Sequence, residues 1–527
     1  MKLLATSLLL YLSFLLEANA IRISGRRIPW EERLQKRGVM SATLQDDGDL
    51  KYFTNITLND EVFPVLIDTG SSDLYVAGNV AGAGNTGKTA TVNYAIGAAS
   101  GPILTAKMEL EEFTVMNQAF ILDQSGNNPK GEGLIGLGPN SGSEIHTTLN
   151  NPNGDTPLDR IFRQNASTPN YLTIYLGRSE DPTDPFPGDL TIGHPVTGFE
   201  NVTSMPKLPV FEVSDGLGQH WQTLLDADGI IGPDGQPVQV TSHVKNGGKN
   251  RLNAIFDSGF SLPQVPKAVA DAFYARVPGA KLTNYTGLGE VYSLPCNVEL
   301  NVTFKLGNVS YPMHPLDTSL SSLGKTDELG NPVCIGAFQP IQPGAEASTY
   351  DMILGMAFLR NAYMLINYGD FVDGSSSKTA DPYLQLLPLT ADLAEAHSDF
   401  VRVRLMGVDD TGDFKLLPAS VLPPDNDDNS DNDDESFAQK VHPYLPYIIA
   451  GSAVLGAALL IAIAMCIAKS RRQRYRRLHD PAPAGLEYGQ QHGQVYGQQY
   501  SQQYGGQEYD PYSHDAPFTQ YQPSRRY

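Results

Sequence analysis

The chain has 527 residues, and its 37 basic and 58 acidic side chains give it a net charge of −21. This acidic balance argues against a nucleic-acid-binding protein, which needs a basic surface, and three cysteines are too few for a disulfide-stapled scaffold or a Cys₄ zinc site. Hydrophobic residues make up 41% of the chain, enough for a folded core, while 50 glycines and 37 prolines favour a turn-rich β protein.

The N-terminus has the pattern of a secretory signal peptide over residues 1–20. Lys2 is followed by an apolar run, and the small residues Ala18 and Ala20 predict cleavage before Ile21. Residues 21–37 end in the basic pair Lys36-Arg37. That pair is either the processing site of a pro-segment, which would make the chain a zymogen, or an ordinary surface pair. The chain is therefore expected in the secretory pathway, at the cell surface or in the vacuole.

The region 38–405 is expected to fold as an all-β domain. Strands are predicted where short runs rich in β-branched and aromatic residues occur, mostly between turn residues, at 52–58, 64–67, 113–115, 171–176 and 297–304. Helices are expected to be few, with residues 267–276 as the best candidate.

Two similar motifs, one in each half of this region, carry the candidate chemistry. Asp68-Thr-Gly and Asp257-Ser-Gly each follow an apolar run. Each motif is followed downstream by an apolar segment that contains glycine. These segments are Gly-Leu-Ile-Gly-Leu-Gly at 133–138 and Met-Ile-Leu-Gly at 352–355. Because order and spacing repeat, the sequence predicts two related lobes.

An aspartate at the end of a buried strand needs a partner, because desolvation disfavours its charge. The natural partner of Asp68 is Asp257 in the other half. Two adjacent carboxylates cannot both ionise at ordinary cost, so one holds the proton. Such a pair can activate a water molecule and then protonate a leaving nitrogen without a metal.

A glycine-rich stretch at 82–89 satisfies the phosphate-loop pattern Gly-x₄-Gly-Lys-Thr. A phosphate loop must open a helix whose N-terminus meets the phosphate, yet residues 90–94 have the pattern of a strand. We therefore interpret 82–89 as a surface loop.

Glycosylation and one disulfide are expected, because the domain should lie outside the cytosol. Asn-x-Ser/Thr acceptor sites occur at Asn55, Asn165, Asn201, Asn284, Asn301 and Asn308. Cys296 and Cys334 are the only cysteines of the domain, and an oxidising lumen favours a bond between them.

The C-terminal part predicts a membrane anchor. An acidic stalk at 406–444 carries seven acidic residues between Asp425 and Glu435. Residues 445–468 are 24 residues without a charge, long enough for one transmembrane helix. A cluster of Lys and Arg follows and should keep the Tyr-, Gln- and Gly-rich tail, 469–527, in the cytoplasm.

The motifs around Asp68 and Asp257 resemble those of pepsin-type aspartic proteases over about residues 51–389, and the anchored layout is similar to membrane-bound fungal members of the secretory pathway. Residues 188–193 resemble the family's strand that crosses between lobes. The resemblance implies a bilobal fold with a cleft between lobes at 38–195 and 196–405. It also implies an endopeptidase that cleaves proteins or peptides, preferably at acidic pH, as a monomeric ectodomain without a cofactor or metal.

The resemblance also implies a role for each matching residue. Asp68 and Asp257 would share the catalytic water, and Thr69 and Ser258 would brace their loops by hydrogen bonds across the lobe junction. The other implied roles are backbone approach to the aspartates at Gly70 and Gly259, a hydrogen bond to Asp68 from Ser71, a flap tyrosine at Tyr94, and a disulfide between Cys296 and Cys334.

Three positions depart from the family pattern. Phe260 stands where Thr or Ser is usual, which should remove a hydrogen bond to Asp257. Tyr75 stands where a Trp is usual, and Tyr94 lies nearer to Asp68 than the family's flap tyrosine does, so it is either that tyrosine or a plain strand residue. Phe260 keeps open an alternative function, a weak or inactive homologue that binds peptides at the cell surface. A third hypothesis is an adhesion protein that assembles through its tail.

Overall fold

The computed structural model describes residues 41–422 apart from 47, 95–96, 165–168, 180, 182–185, 214–218, 246, 286–287, 328, 342–348, 370–371 and 373–379. The predicted signal peptide, pro-segment, membrane span and tail lie outside the described residues, as do the stalk beyond residue 422 and the acceptor site at Asn165. Among the helices formed by the described residues, none has the length and apolar character that crossing a membrane requires.

The described residues form 26 strands, numbered here in chain order. The N-terminal half contains β1 Ser41–Thr43, β2 Gln45–Asp46, β3 Tyr52–Leu58, β4 Glu61–Asp68, β5 Leu74–Val76, β6 Gly84–Asn93, β7 Ala98–Leu110, β8 Phe113–Leu122, β9 Gly133–Gly136, β10 Tyr171–Leu176, β11 Gly188–Ile192 and β12 Leu208–Pro209.

The C-terminal half contains β13 Gln222–Leu224, β14 Ile230–Ile231, β15 Asn253–Phe256, β16 Gln264–Val265, β17 Lys281–Tyr285, β18 Gly289–Leu294, β19 Thr303–Leu306, β20 Val309–Pro312, β21 Ser319–Leu320, β22 Cys334–Gly336, β23 Gln339–Pro340, β24 Met352–Leu354, β25 Ala362–Asn367 and β26 Tyr383–Pro388. The prediction of a mostly β architecture is confirmed.

Each half has its own sheets around a buried core. In the N-terminal half one sheet has the order β2-β3-β4-β9-β5-β8-β7-β6, and in the C-terminal half the order β13-β15-β24-β16-β23 is accompanied by sheets of three and four strands. Strand β3 alternates buried and less buried residues, as a strand with one face on the core should. Strands β9, β15 and β24 are buried throughout because each pairs in parallel with a neighbour inside the core.

A six-stranded sheet with the order β1-β11-β10-β25-β26-β12 joins the two halves. Its central pair is β10 with β25, with Thr173 opposite Leu365. The Tyr363 hydroxyl donates to Thr173 Oγ1 at 2.7 Å between positions 190 residues apart. The halves are therefore tied together by a continuous ladder of backbone hydrogen bonds.

Five helices lie on these sheets within the described residues: α1 Glu144–Leu149, α2 Pro157–Gln164, α3 Lys267–Tyr274, α4 Met356–Leu359 and α5 Leu393–Arg404. The prediction of a helix at 267–276 is confirmed by α3. The predicted strand at 297–304 is mostly wrong, because only 303–304 join a ladder. Val298, Leu300 and Val302 are buried alternately, so the segment has the side-chain pattern of a strand, although only Thr303 and Phe304 join a ladder.

The C-terminal half is closed by a disulfide and by the segment after α5. Cys296 and Cys334 are bonded, with 5.0 Å between their Cα atoms, as predicted. Beyond Leu405, the Leu417 amide donates to the Arg276 carbonyl at 2.7 Å, and Arg276 Nε returns a bond to the Leu417 carbonyl at 2.8 Å. Contacts with the domain therefore continue past the expected start of the stalk at 406.

A buried ionic cluster, here called the Asp317 cluster, ties distant segments together. Arg360 Nε donates to Asp317 Oδ1 at 2.6 Å, while Arg178 Nε at 3.1 Å and Asn361 Nδ2 at 2.8 Å donate to Asp317 Oδ2. Arg360 also donates to the Asp49 carbonyl at 2.7 Å. Burial alone would raise the pKa of Asp317, but Arg178 and Arg360 hold it well below its usual value.

Candidate active site

Asp68 and Asp257 stand at equivalent places in the two halves. Asp68 ends β4, which runs parallel to β9 with Asp68 opposite Gly136. Asp257 follows β15, which runs parallel to β24, and its amide donates to the Leu354 carbonyl at 3.1 Å. A Cβ on Gly136 would overlap the backbone of the loop after Asp68. The apolar glycine motifs thus support the backbone of both aspartate loops.

Four hydrogen bonds made by Thr69 and Ser258 hold the two aspartate loops together. The Thr69 amide donates to the Ser258 hydroxyl at 3.1 Å, and the Ser258 amide donates to Thr69 Oγ1 at 2.8 Å. Each hydroxyl then donates to a carbonyl of the opposite strand, Thr69 to Phe256 at 2.8 Å and Ser258 to Ile67 at 2.9 Å. Both side chains are almost fully buried, so this bracing is shielded from water.

Glycines on each side let the two carboxyl groups meet. A Cβ on Gly70 would overlap the carboxyl group of Asp257, and a Cβ on Gly259 would overlap that of Asp68. A Cβ on Gly259 would lie within 3.2 Å of a carboxyl oxygen of each aspartate, so the two carboxyl groups are neighbours. Only residues without a side chain can therefore occupy positions 70 and 259 in this arrangement.

The two carboxyl groups receive different hydrogen bonds. Asp68 accepts the Gly70 amide at 2.9 Å on Oδ1 and the Ser71 hydroxyl on Oδ2. Asp257 accepts the Gly259 amide at 2.7 Å. Burial, the charge of Asp68 and their shared hydrogen bond raise the pKa of Asp257 well above its usual value. The close approach of the two buried carboxyl groups therefore favours retention of a proton by the pair.

Tyr94 lies at the tip of the hairpin formed by β6 and β7. Its amide donates to the Gly97 carbonyl at 3.1 Å, and its ring centroid is 5.9 Å from that of Tyr75. The hydroxyl is enclosed and has no hydrogen-bond partner among the residues that the structure describes. Burial and the nearby charge of Asp68 raise the pKa of Tyr94 well above its usual value. The hairpin thus holds a neutral phenol close to Asp68.

Tyr75 is hydrogen-bonded to a polar network, Asn128 and Asp123, that the sequence analysis did not predict. Its hydroxyl donates to Asn128 Oδ1 at 3.2 Å, and Asn128 Nδ2 donates to Asp123 Oδ2 at 2.8 Å. Asp123 Oδ1 in turn accepts the Ser100 amide of β7 at 2.9 Å. Through Asn128 and Asp123, the Tyr75 hydroxyl is therefore connected to the part of the hairpin next to its tip. The sequence offered one signal, a tyrosine where the family has a tryptophan.

The remaining sequence candidates lie elsewhere. The glycine-rich stretch at 82–89 was predicted to be a surface loop, and this prediction is wrong, because residues 84–89 belong to strand β6. The side chains of Asn55, Asn284, Asn301 and Asn308 are exposed, and that of Asn201 is half-buried. Within the described ranges, no group of three or more His, Cys, Asp or Glu side chains is arranged to hold a metal ion.

The chain was compared with models of protein families. The model of eukaryotic aspartyl proteases matches residues 51–372, which include both aspartate loops and the hairpin. The match begins at the residue where the sequence resemblance begins, and it covers more than half of the chain.

The chain is also similar to curated aspartic peptidases and to the crystal structure of an aspartic proteinase. The chain is 26% identical to the major aspartyl peptidase 1 of Cryptococcus neoformans, over 66% of this chain and 74% of that protein. It is 27% identical to a probable aspartic-type endopeptidase of Aspergillus fumigatus, over 60% and 76%, and 26% identical to mouse cathepsin E, over 61% and 79%. The crystal structure of the aspartic proteinase from Irpex lacteus shares the fold, with a TM-score of 0.50 at 17% identity, covering 68% of this chain and 99% of that one.

Proposed function

Because the chain belongs to the eukaryotic aspartyl protease family and is an aspartic-type endopeptidase, we propose that Asp68 and Asp257 are its catalytic carboxylates. The observation that carries this proposal is the pair itself. Two strands from different halves of the chain deliver two carboxyl groups to one point, where a Cβ on Gly70 or Gly259 would overlap the carboxyl group of the opposite aspartate. Aspartic proteases are the established case of two such carboxyl groups that share a proton.

The different environments of the two carboxyl groups suggest how the work is divided. Asp68, which accepts bonds from Gly70 and Ser71, takes a proton from the water as the water oxygen attacks the peptide carbonyl carbon. Asp257 gives its proton to the carbonyl oxygen, which forms a tetrahedral intermediate. The proton on Asp68 then passes to the leaving nitrogen as the C–N bond breaks, and Asp257 recovers its proton from the intermediate's hydroxyl.

The substrate is a protein or peptide, and we place an extended segment of it between the aspartates and the β6–β7 hairpin. Tyr94 supports this placement because its hydroxyl is close to Asp68 and has no partner in the described part of the chain. In this proposal Tyr94 acts as the flap residue and closes over the bound peptide. A buried hydroxyl without a partner is costly, so a backbone group of the substrate would stabilise it.

The test is digestion of a mixed peptide library by the full-length purified protein between pH 3 and 7. We expect cleavage in the acidic part of this range, and we expect pepstatin and the substitution Asp257→Asn to abolish it. A folded protein that binds library peptides but cleaves none would support the peptide-binding alternative instead. Cleavage that persists in the Asp257→Asn protein would overturn the catalytic assignment.

Phe260 gives a prediction about pH dependence. No hydroxyl from position 260 reaches Asp257, which accepts backbone amides. In the variant Phe260→Thr, a hydroxyl donating to Asp257 would stabilise its charged form and lower its pKa. We expect the basic limb of the kcat/KM profile to move to lower pH by about 0.5–1 unit. Phe260→Leu is the matched control, and an identical profile for the Thr variant would contradict the idea.

We further propose that the enzyme is anchored in a membrane of the secretory pathway, with the catalytic domain outside the cytosol and monomeric. The support comes from the sequence: the signal pattern at 1–20 and the uncharged stretch at 445–468 before a basic cluster. Carbonate extraction tests the anchor. The full chain should stay in the membrane pellet, and a chain that ends at residue 444 should be released.

A further inference from the structure

The loop that follows β8 binds the first residues of β7. Asp123 Oδ1 accepts the Ser100 amide at 2.9 Å, and the Gln124 amide donates to the Ser100 carbonyl at 2.9 Å. Asn128 Nδ2 donates to the Ala98 carbonyl at 3.2 Å. Both backbone polar groups of Ser100 and the carbonyl of Ala98 are therefore held by this loop.

These two residues of β7 lie at the end of the hairpin that carries Tyr94. In the ladder between β6 and β7, Ala98 is opposite Asn93 and Ser100 is opposite Thr91. The hydroxyl groups of Ser100 and Thr91 are 2.7 Å apart. Because Tyr94 directly follows Asn93, the loop after β8 holds the hairpin close to this tyrosine.

The loop takes over where the ladder between β7 and β8 ends. The last paired residues in the direction of the hairpin tip are Ile103 and Ile121. The two strands remain close beyond that point, since a Cβ on Gly101 would lie 2.0 Å from the Leu122 carbonyl oxygen. The Asp123 carboxylate then supplies the acceptor for a β7 amide that a neighbouring strand supplies elsewhere in the ladder.

Asn128 connects this end of the hairpin with strand β5. Its Nδ2 also donates to Asp123 Oδ2 at 2.8 Å, and its Oδ1 accepts the Tyr75 hydroxyl at 3.2 Å. The ring centroid of Tyr75 lies 5.9 Å from that of Tyr94. Strand β5 pairs with β9, which lies beside the strand of the first aspartate. Asp123, Asn128 and Tyr75, here called the Asp123 network, therefore link the hairpin to the sheet that carries this aspartate.

The Asp123 network suits an enzyme that works in acid. Burial would raise the pKa of Asp123, but hydrogen bonds from the Asn128 side chain and from the amides of Ser100 and Ser125 lower it below its usual value. The carboxylate therefore stays charged further into the acidic range than an ordinary aspartate does.

We propose that Asp123 and Asn128 are positioning residues of the β6–β7 hairpin, which hold Tyr94 in place for the bound peptide. This role rests on the proposed function of Tyr94 as the flap residue. A hairpin that is already held in its binding position needs less ordering when the peptide binds, and this preorganisation improves affinity. Because neither residue belongs to the aspartate pair, loss of the network raises KM and leaves kcat nearly unchanged.

Two variants remove the network in steps. Asp123→Asn keeps the shape of the side chain and an oxygen for the Ser100 amide, but it presents an NH₂ group to the Asn128 donor. Asp123→Ala removes both acceptors. The matched control is Asp327→Asn, because Asp327 accepts the side-chain amide of Asn331 at 3.0 Å in a turn of the C-terminal half.

The measurement is KM and kcat of the full-length protein at one acidic pH, against a peptide that the unmodified chain cleaves. Titration with pepstatin gives the concentration of active enzyme, and thermal melting checks folding. We expect KM to rise about 3- to 10-fold in Asp123→Asn and about 10- to 30-fold in Asp123→Ala, with kcat within about twofold. The Asp327→Asn protein should keep both constants.

A merely structural role for Asp123 would lower the melting temperature or the active fraction and leave KM unchanged. A KM of the folded Asp123→Asn protein within about twofold of that of the unmodified chain would therefore overturn the inference.

A double-mutant cycle tests whether the network acts through Tyr94. In a Tyr94→Ala background, Asp123→Asn should raise KM by less than about twofold, because the residue that the network positions is gone. The full rise in that background would also overturn the inference. Failure of the proposed flap has a different signature, since Tyr94→Ala alone would then keep the KM and kcat of the unmodified chain.

Discussion

Replacement of Asp257 by asparagine should lower kcat/KM for peptide cleavage by about 10³- to 10⁴-fold while the protein still folds. Asparagine has the shape of a protonated aspartate and can accept the Gly259 amide, which lies 2.7 Å from the carboxyl oxygen. It cannot give up a proton to the peptide carbonyl oxygen. The variant therefore retains the hydrogen bonds of the ground state and loses the proton transfer.

The measurement is initial cleavage rate over a substrate series at acidic pH, with circular dichroism and thermal melting as checks of folding. Asp410→Asn is a suitable control because Asp410 is exposed and its side chain makes no capping hydrogen bond. It should cleave at the rate of the unmodified chain. A fall of less than about 10-fold in a folded Asp257→Asn protein would show that Asp257 is not the proton donor.

The second large effect is expected on stability. Asp317→Asn should lower the free energy of unfolding by about 3–5 kcal/mol, because two buried guanidinium groups, those of Arg178 and Arg360, would lose their shared anion. Both arginine side chains are almost fully buried, so water cannot replace the carboxylate. In the Asp317 cluster, Arg360 and Asn361 donate hydrogen bonds to Asp317. These two residues directly follow α4, the helix after β24.

Urea unfolding followed by tryptophan fluorescence measures this change, since Trp221 is fully buried and its indole donates to the Leu137 carbonyl. The control is Lys107→Gln, which breaks a surface pair with Glu109 and should leave the free energy of unfolding almost unchanged. A loss of similar size in both variants would mean that Asp317 is not needed to neutralise the buried arginines.

The aspartate pair was predictable because the same short motif around a catalytic aspartate occurs twice in the sequence. An apolar strand that ends in Asp-Thr-Gly or Asp-Ser-Gly, with an apolar glycine motif downstream, occurs once in each half. The strand Tyr52–Leu58 and the helix α3 were predictable for a related reason, since their side-chain periodicity is local.

Other elements were not predictable because they depend on distant partners. The segment 297–304 alternates like a strand, and no local signal says that its first six residues lack a neighbouring ladder. Trp221 has no motif around it, and its position, with the indole donating to the Leu137 carbonyl, depends on the pairing of β13 with β15. Helix α5 is a true omission, since Asp392 with Glu395 three residues later is a readable start signal.

The six-stranded sheet that joins the halves has a consequence for biosynthesis. Thr173 and Tyr363, which meet across β10 and β25, are 190 residues apart in the chain. At a synthesis rate of 5–20 residues per second, β10 would leave the ribosome roughly 10–40 seconds before its partner exists. During that interval its edge is an open template for wrong pairing. The N-terminal half therefore stays incompletely folded until β25 has been synthesised. The six-stranded sheet is then the last part of the enzyme to form.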